Sequence, residues 1–249
     1  MQSALNQFRI SIQRVRDLIA LHNSVKAQAT AALDISDILR SALVLSVSAL
    51  DYYIHEVVTL GMLEIHRGTR PEPAIPRNST QSSFSRFQVS LGSAREDRKI
   101  AIDIASWIES EIQQSYGDDF LQKSHNISHL IPVISNSILN QLNNTSWLEA
   151  EIRETLSYKS FQEPDKIAEA IRYISTKKLW EEVANKMGRH DKEIKQQLKL
   201  IVDRRNKIAH EADIDPTLSL GNRWDIDESM VNDAVDFIEQ VVESIHQIL

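Results

Sequence analysis

Leu198–Asp213, LKLIVDRRNKIAHEAD, is the stretch on which the fold turns. Extended back to Asp191, it places Ile194, Leu198, Ile201 and Ile208 at helical spacing, with Val202 beside them, and predicts a helix over about 191–209. Pro216 biases Asp215 away from helical geometry, so the helix must end before it. At about 100° per residue, Arg205 falls inside the apolar stripe. A cation there must be paired, reach out along its stem, or lie at an interface. Lys192, Lys195, Lys199, Asp203, Asn206 and His210 line the opposite face. That row can follow a phosphate backbone; for the lysines the plainer reading is an ordinary solvated face.

Working outward, apolar residues recur at helical spacing over about 5–32 (Phe8, Ile12, Val15, Ile19, His22, Val25) and 37–67 (from Ile38 and Leu39 to Tyr53 and Val57). Asp34 or Ser36 is placed to cap the second of these. The first half of that helix is apolar nearly all round, as in the centre of a bundle. A last helix is expected over about 227–249. Gly68–Ser90 holds three prolines and many Ser, Thr and Gln, and reads as a long loop. A helix is expected over about 94–116, ended by Gly117. Residues 118–144 show mixed signals around Pro132, and shorter pieces occupy 147–186. The expectation is an all-α protein: one up-and-down helical bundle over 1–249, with 68–144 an inserted loop and helix region.

Six Gly and six Pro in 249 residues suit long helices better than a sandwich of many short strands. The absence of cysteine removes disulfides, thiolate metal sites and a cysteine nucleophile, and fits a cytoplasmic location. The N-terminal residues carry no long apolar run of the secretory kind. The most apolar run, Ser41–Leu50, is too short to cross a bilayer, and Asp51, His55 and Glu56 interrupt the residues beyond it; no membrane partner is expected. Net charge is −7, which disfavours coating of nucleic acid by overall charge. Residues 186–207, however, hold eight Lys/Arg against three acids. A local basic stripe on an acidic chain suits an enzyme that engages a short stretch of RNA.

The chemistry-bearing candidate is Arg204-Arg205-Asn206-Lys207-Ile208-Ala209-His210. Arginine followed by histidine after four or five residues is a weak pattern alone, and Arg16 with His22 forms a similar one that reads as a helix-face coincidence. The second motif differs in its polar Asn206, its basic helix, and the acidic, proline-containing turn after it. Arg205 and His210 leave a regular helix about 140° apart, so they serve one phosphate only if the helix loosens near Ala209 or two chains combine. The dimer is the favoured expectation. His125 and His129 lack a zinc-like set of neighbours, Ser46 and Ser48 lack a hydrolase elbow, and no Gly-rich phosphate loop is present.

At these residues the chain resembles the HEPN superfamily, and more narrowly its RiboL-PSP type. The motif stretch is the specific part; Ile38–Val58 (ILRSALVLSVSALDYYIHEVV) and Tyr158–Ile171 (YKSFQEPDKIAEAI) are also similar. With Leu179-Trp180 and the final helix, the likeness covers most of the chain. The resemblance implies a dimerising helical bundle with metal-independent endoribonuclease activity, often in defence or toxin systems. It assigns catalysis to Arg205, Asn206 and His210, with Arg204 as an alternate arginine; some members act only as binding modules.

The chemistry is coherent. RNA carries its own nucleophile, the 2′-OH, so cleavage needs a base near neutral pKa and a fixed cation for the phosphorane. Histidine and arginine supply these. Further expectations are RNA contacts from Lys195, Lys199 and Lys207, support of the catalytic side chains by Asp51 and Asp203, no metal or other cofactor, and a regulatory protein partner, with 68–90 as a gate or docking segment. The rival reading is a non-catalytic helical RNA- or protein-binding module, antitoxin-like or a scaffold subunit.

Overall fold

In a computed structural model, residues 1–28, 33–73, 109, 112–113, 116–117, 119–120, 130–136, 146–217 and 222–249 are described. The seven named helices are α1 (Gln2–Lys26), α2 (Ser36–His66), α3 (Ser146–Ser157), α4 (Pro164–Ile171), α5 (Leu179–Met187), α6 (Asp191–Glu211) and α7 (Glu228–Ile248). Among the described residues there is no strand, only an isolated antiparallel bridge between Ile214 and Arg223. The protein is all-α. Met1–Ala74 and Leu156–Leu249 form one compact unit, and Ile75–Thr155 a second. Most of the expected loop at 68–90 and helix at 94–116, and His125 and His129, lie outside the described residues.

In the first unit, α2 is the central element and packs on α1, α4, α6 and α7. Its sequence explains this: Leu39, Leu43, Val47, Leu50, Ile54 and Val58 are buried along one stripe, and Ala49, Thr59, Met62 and Leu63 are buried on other faces. By length and composition this helix could cross a membrane, since one window has mean hydropathy 1.3, but 56% of that window is buried by the protein itself. The ten-residue apolar run read from the sequence therefore understates a longer apolar helix. Phe8 of α1 meets Tyr53 of α2 edge-on, ring centres 5.8 Å apart. Arg9 donates twice to Glu243, and Arg16 to Asp236 and Glu239, tying α1 to α7. Arg16 is thus occupied by structural partners. Pairs this exposed are screened by solvent and contribute little each.

Local signals set the boundaries. Asp34 accepts from the Ser36 backbone N–H, and Asp227 caps α7 through Met230 N–H. Gly188 ends α5 at φ 63, where glycine has no steric penalty.

Near the C-terminus, the Tyr53 hydroxyl lies 3.3 Å from His246 Nδ1. Burial pushes the Tyr53 phenol above its ordinary value, so it stays a donor. Burial also depresses the His246 imidazole, with Glu243 opposing and the N-terminus and Arg9 reinforcing the shift. The unfolded chain therefore holds this proton more tightly than the folded one. The resulting stability is complete above the ordinary histidine value of about 6.5 and is lost as pH falls below it. Urea midpoints between pH 7.5 and 5 should fall for wild type and fall less for His246→Phe; parallel curves would remove His246 from the account.

Candidate active site

α6 begins with Asp191 and Glu193 in its first turn, where carboxylates complement the helix dipole. It stays helical through His210 and ends at Glu211. The helix therefore does not loosen at Ala209. The turn after it is unusual: Ala212 (φ 51) and Asp213 (φ 58) are both left-handed without a glycine. Their N–H groups both reach back to the Lys207 carbonyl, which holds the turn. A left-handed L-residue costs about 1–2 kcal/mol, partly offset in a glycine by its looser unfolded chain. Ala212→Gly is expected to stabilise the protein by about 0.5–1 kcal/mol, raising the melting temperature by about 1–4 °C. A lower melting temperature would show that the turn is not strained.

The turn delivers Asp213 into the interior between two arginines, its side chain 1% exposed. Arg40 Nε donates to Oδ2 at 2.7 Å and Arg204 Nη2 to the same oxygen at 2.8 Å. Arg204 Nη1 lies 2.6 Å from Oδ1, close in distance but off the hydrogen-bonding axis, so Oδ1 lacks an aligned donor. Arg40 also donates to Ser36 Oγ and to the Trp224 carbonyl, and Arg204 to the carbonyls of Trp224 and Asp225. Asp213 and Trp224 are further joined by a backbone hydrogen bond of 2.9 Å. Burial depresses the Arg204 guanidinium, with Asp213 opposing and Arg40 adding to the shift. The fork of Arg204, the alternate catalytic arginine, is thereby filled by Asp213 and backbone oxygens.

Arg205 is different. It is half-buried, as its place in the apolar stripe requires, and its Nε is buried without a partner. Its Nη1 donates to Asn206 Oδ1 at 2.9 Å. Among the described residues no carboxylate pairs with it. The Asn206 side chain is thus turned toward the arginine. His210 is exposed and, among the described residues, makes no side-chain hydrogen bond or ion pair. A groove of about 600 Å³ flanks the Arg205 side of α6, lined by Asp37, Arg40, Ser41, Val44, Leu45, Ile208, Ala212 and Arg223.

The remaining candidates are dispersed. Lys195 pairs with Asp191 at 2.9 Å, and Lys199 with Asp203 at 3.2 Å and Glu163 at 3.9 Å. The Asp203 hydrogen bond, then Glu163, raises the Lys199 ammonium, and Lys195 lowers the Asp191 carboxyl. These lysines form a neutralised, solvated face. Lys207 Nζ sits 4.4 Å over the Trp224 ring. Asp203 serves Lys199 rather than backing His210 or Arg205. Asp51 accepts from Phe161 N–H at 2.6 Å and Gln162 Nε2 at 3.2 Å. The carboxylate of Asp51, expected to support the catalytic side chains, is placed against the segment before α4. Among the described residues no group of three or more His, Asp or Glu is placed to hold a metal ion.

Three residues central to this region were missed in the sequence: Arg40, Asp213 and Trp224. Arg40 carried a signal, since a cation within ILRSALVL requires a buried acid.

No curated protein and no solved structure matches the chain. A sequence model described as RiboL-PSP-HEPN matches residues 9–249, spanning α2, the motif of α6 and α7 alike. The chain therefore belongs to the RiboL-PSP-HEPN family, whose all-helical domains are nuclease-like or RNA-related modules.

Proposed function

We propose that the protein is a metal-independent endoribonuclease that works as a homodimer, with Arg205 and His210 as its catalytic residues and Asn206 positioning the arginine. The observation that carries this reading is the division of labour between adjacent arginines. Arg204 is filled by Asp213, while Arg205 is half-buried with no carboxylate partner among the described residues. A half-buried cation without a counter-ion is costly unless an anion visits it. Phosphate is the anion that a planar guanidinium fork fits.

In the proposed reaction, His210 takes the proton from the 2′-OH as O2′ attacks the adjacent phosphorus in line. Arg205 faces the charge that builds on the non-bridging oxygens. The P–O5′ bond breaks and the leaving oxygen is protonated by a second His210. The products carry 2′,3′-cyclic phosphate and 5′-OH ends. Because Arg205 and His210 diverge by about 140° on an unbroken helix, one phosphate is reached by side chains of two copies. The exposed row Ser41, Leu45, Ser48 and Tyr52 on α2, with Leu45 and Tyr52 nearly half exposed, is a surface a second copy can cover. A cytoplasmic role in defence, restrained by a partner protein as a toxin is, fits such an enzyme.

The test is cleavage of total RNA in excess EDTA, with the product ends mapped. Cleavage that survives the chelator and yields cyclic phosphate supports the reading. Cleavage that depends on a divalent ion would overturn the metal-independent chemistry, and a folded dimer that cuts no RNA favours a binding module.

A further inference from the structure

Trp224 lies against the end of α6, the helix that carries the proposed catalytic residues. Arg204, Lys207 and His210 form an i, i+3 ridge along the end of α6, neighbours spaced about 5–6 Å apart at Cβ. The first of the three holds the Trp224 carbonyl, the second lies over the Trp224 ring, and the third is the exposed histidine. The backbone of Trp224 is fixed from three sides: its N–H donates to the Asp213 carbonyl, and its own carbonyl accepts from Arg40 and Arg204. The ring is only half-buried, although it belongs to the largest side-chain type. By contrast, Trp180 is 7% exposed and spends its indole N–H on the Pro164 carbonyl. Three elements thus converge to fix the backbone of a half-exposed tryptophan at the end of α6, where Lys207, three residues before His210, lies over its ring.

Resting on the ribonuclease reading, we propose that Trp224 is a stacking platform for a base of single-stranded RNA next to the scissile phosphate. Lys207 exchanges its cation–π contact for that nucleotide's phosphate when the base arrives. The exchange is chemically balanced: the ring keeps a partner on its face, and the ammonium trades a ring quadrupole for a full negative charge. Of the basic residues expected from the sequence to contact RNA, Lys207 is then the one that does so, because Lys195 and Lys199 are held by acids. A duplex cannot present an unstacked base, so the site selects unpaired RNA.

The experiment uses the full chain and a 2′-O-methyl oligoribonucleotide, whose blocked nucleophile prevents cleavage, against its matched duplex and inorganic polyphosphate. The expected result is binding of the single strand with quenching of tryptophan fluorescence. The quench should disappear in Trp224→Phe while most affinity is kept. Trp224→Leu should lose about 5- to 100-fold in affinity. Lys207→Gln should lower the slope of log affinity against log salt by about 1. With cleavable RNA, Trp224→Leu should raise KM more than it lowers kcat. Equal affinity of Trp224→Leu and wild type, an undiminished quench in Trp224→Phe, or equal binding of duplex and single strand would each overturn the proposal. If Trp224→Leu melts early, the quench of Trp224→Phe and the salt slope of Lys207→Gln decide alone. Trp224-dependent binding without any cleavage would sink the nuclease reading and keep this one. Cleavage with unchanged kcat/KM in Trp224→Leu would do the reverse.

Discussion

Asp213→Ala is expected to destabilise the protein by about 3–5 kcal/mol, a fall of about 6–20 °C in melting temperature, because it strands charge in the interior. Arg40 is 6% exposed and Arg204 is mostly covered, and both aim their forks at this one carboxylate. Removing the acid leaves two like charges facing each other, with backbone carbonyls, Ser36 Oγ and the largely exposed Asp37 carboxylate, 3.7 Å from Arg40, as their remaining partners. The opposite truncation should cost less: in Arg204→Met, Asp213 still has Arg40 and the methionine fills the space. Replacing all three by apolar residues of similar volume should restore much of the loss, since the desolvation of three charges disappears together. Thermal melts of the three variants check the order. If Asp213→Ala melts within a degree or two of wild type, water reaches the triad and it is not an anchor. The consequence for function is direct, because the same triad sets the turn after α6 and the carbonyl of Trp224. Variants of Arg204 should therefore lose folded protein and the placement of Trp224, raising KM, rather than the chemical step itself.

Much of this arrangement was legible in the sequence, and the rest was hidden for identifiable reasons. The 3.6-residue period predicted α1, α2, α6 and α7 because each buries one stripe or, for α2, more than one face. Arg205 inside the stripe of α6 was visible by angle alone, and the structure leaves it half-buried as that angle demands. The lysine pairing was also readable: Asp191 stands four residues before Lys195, and Lys199 four before Asp203, spacings at which opposite charges meet on a helix. What the sequence hid was the turn. Two left-handed residues without glycine give no local signature, so nothing announced that Asp213 doubles back to Arg204. The choice between Arg204 and Arg205 hung on that turn. Trp224 was hidden too, because its place beside α6 depends on the single bridge between Ile214 and Arg223.

His210→Ala is expected to reduce RNA cleavage by about 10²–10⁴-fold, and Arg205→Ala by about 10²–10³-fold, the range for losing a general base or a charge-stabilising donor. Neither loss should follow from unfolding. His210 is exposed with no described side-chain partner, so its variant should melt with wild type. Arg205→Ala removes a half-buried cation and its contact with Asn206, and its melting temperature should hold or rise. Arg205→Lys should not rescue activity, because an ammonium keeps the charge but loses the planar fork. Mixing the two inactive alanine variants then asks where the site is built. If one phosphate needs only Arg205 from one copy and His210 from the other, a mixed dimer holds one intact pair, and statistical exchange should return about a quarter of wild-type activity. If the second His210 that donates to the leaving oxygen is equally needed, the mixture recovers far less, while His210→Ala mixed with wild type shows dominant loss. Neither recovery nor dominant loss would mean that each copy works alone. Arg205 and His210 would then have to meet within one chain, against about 140° of unbroken helix.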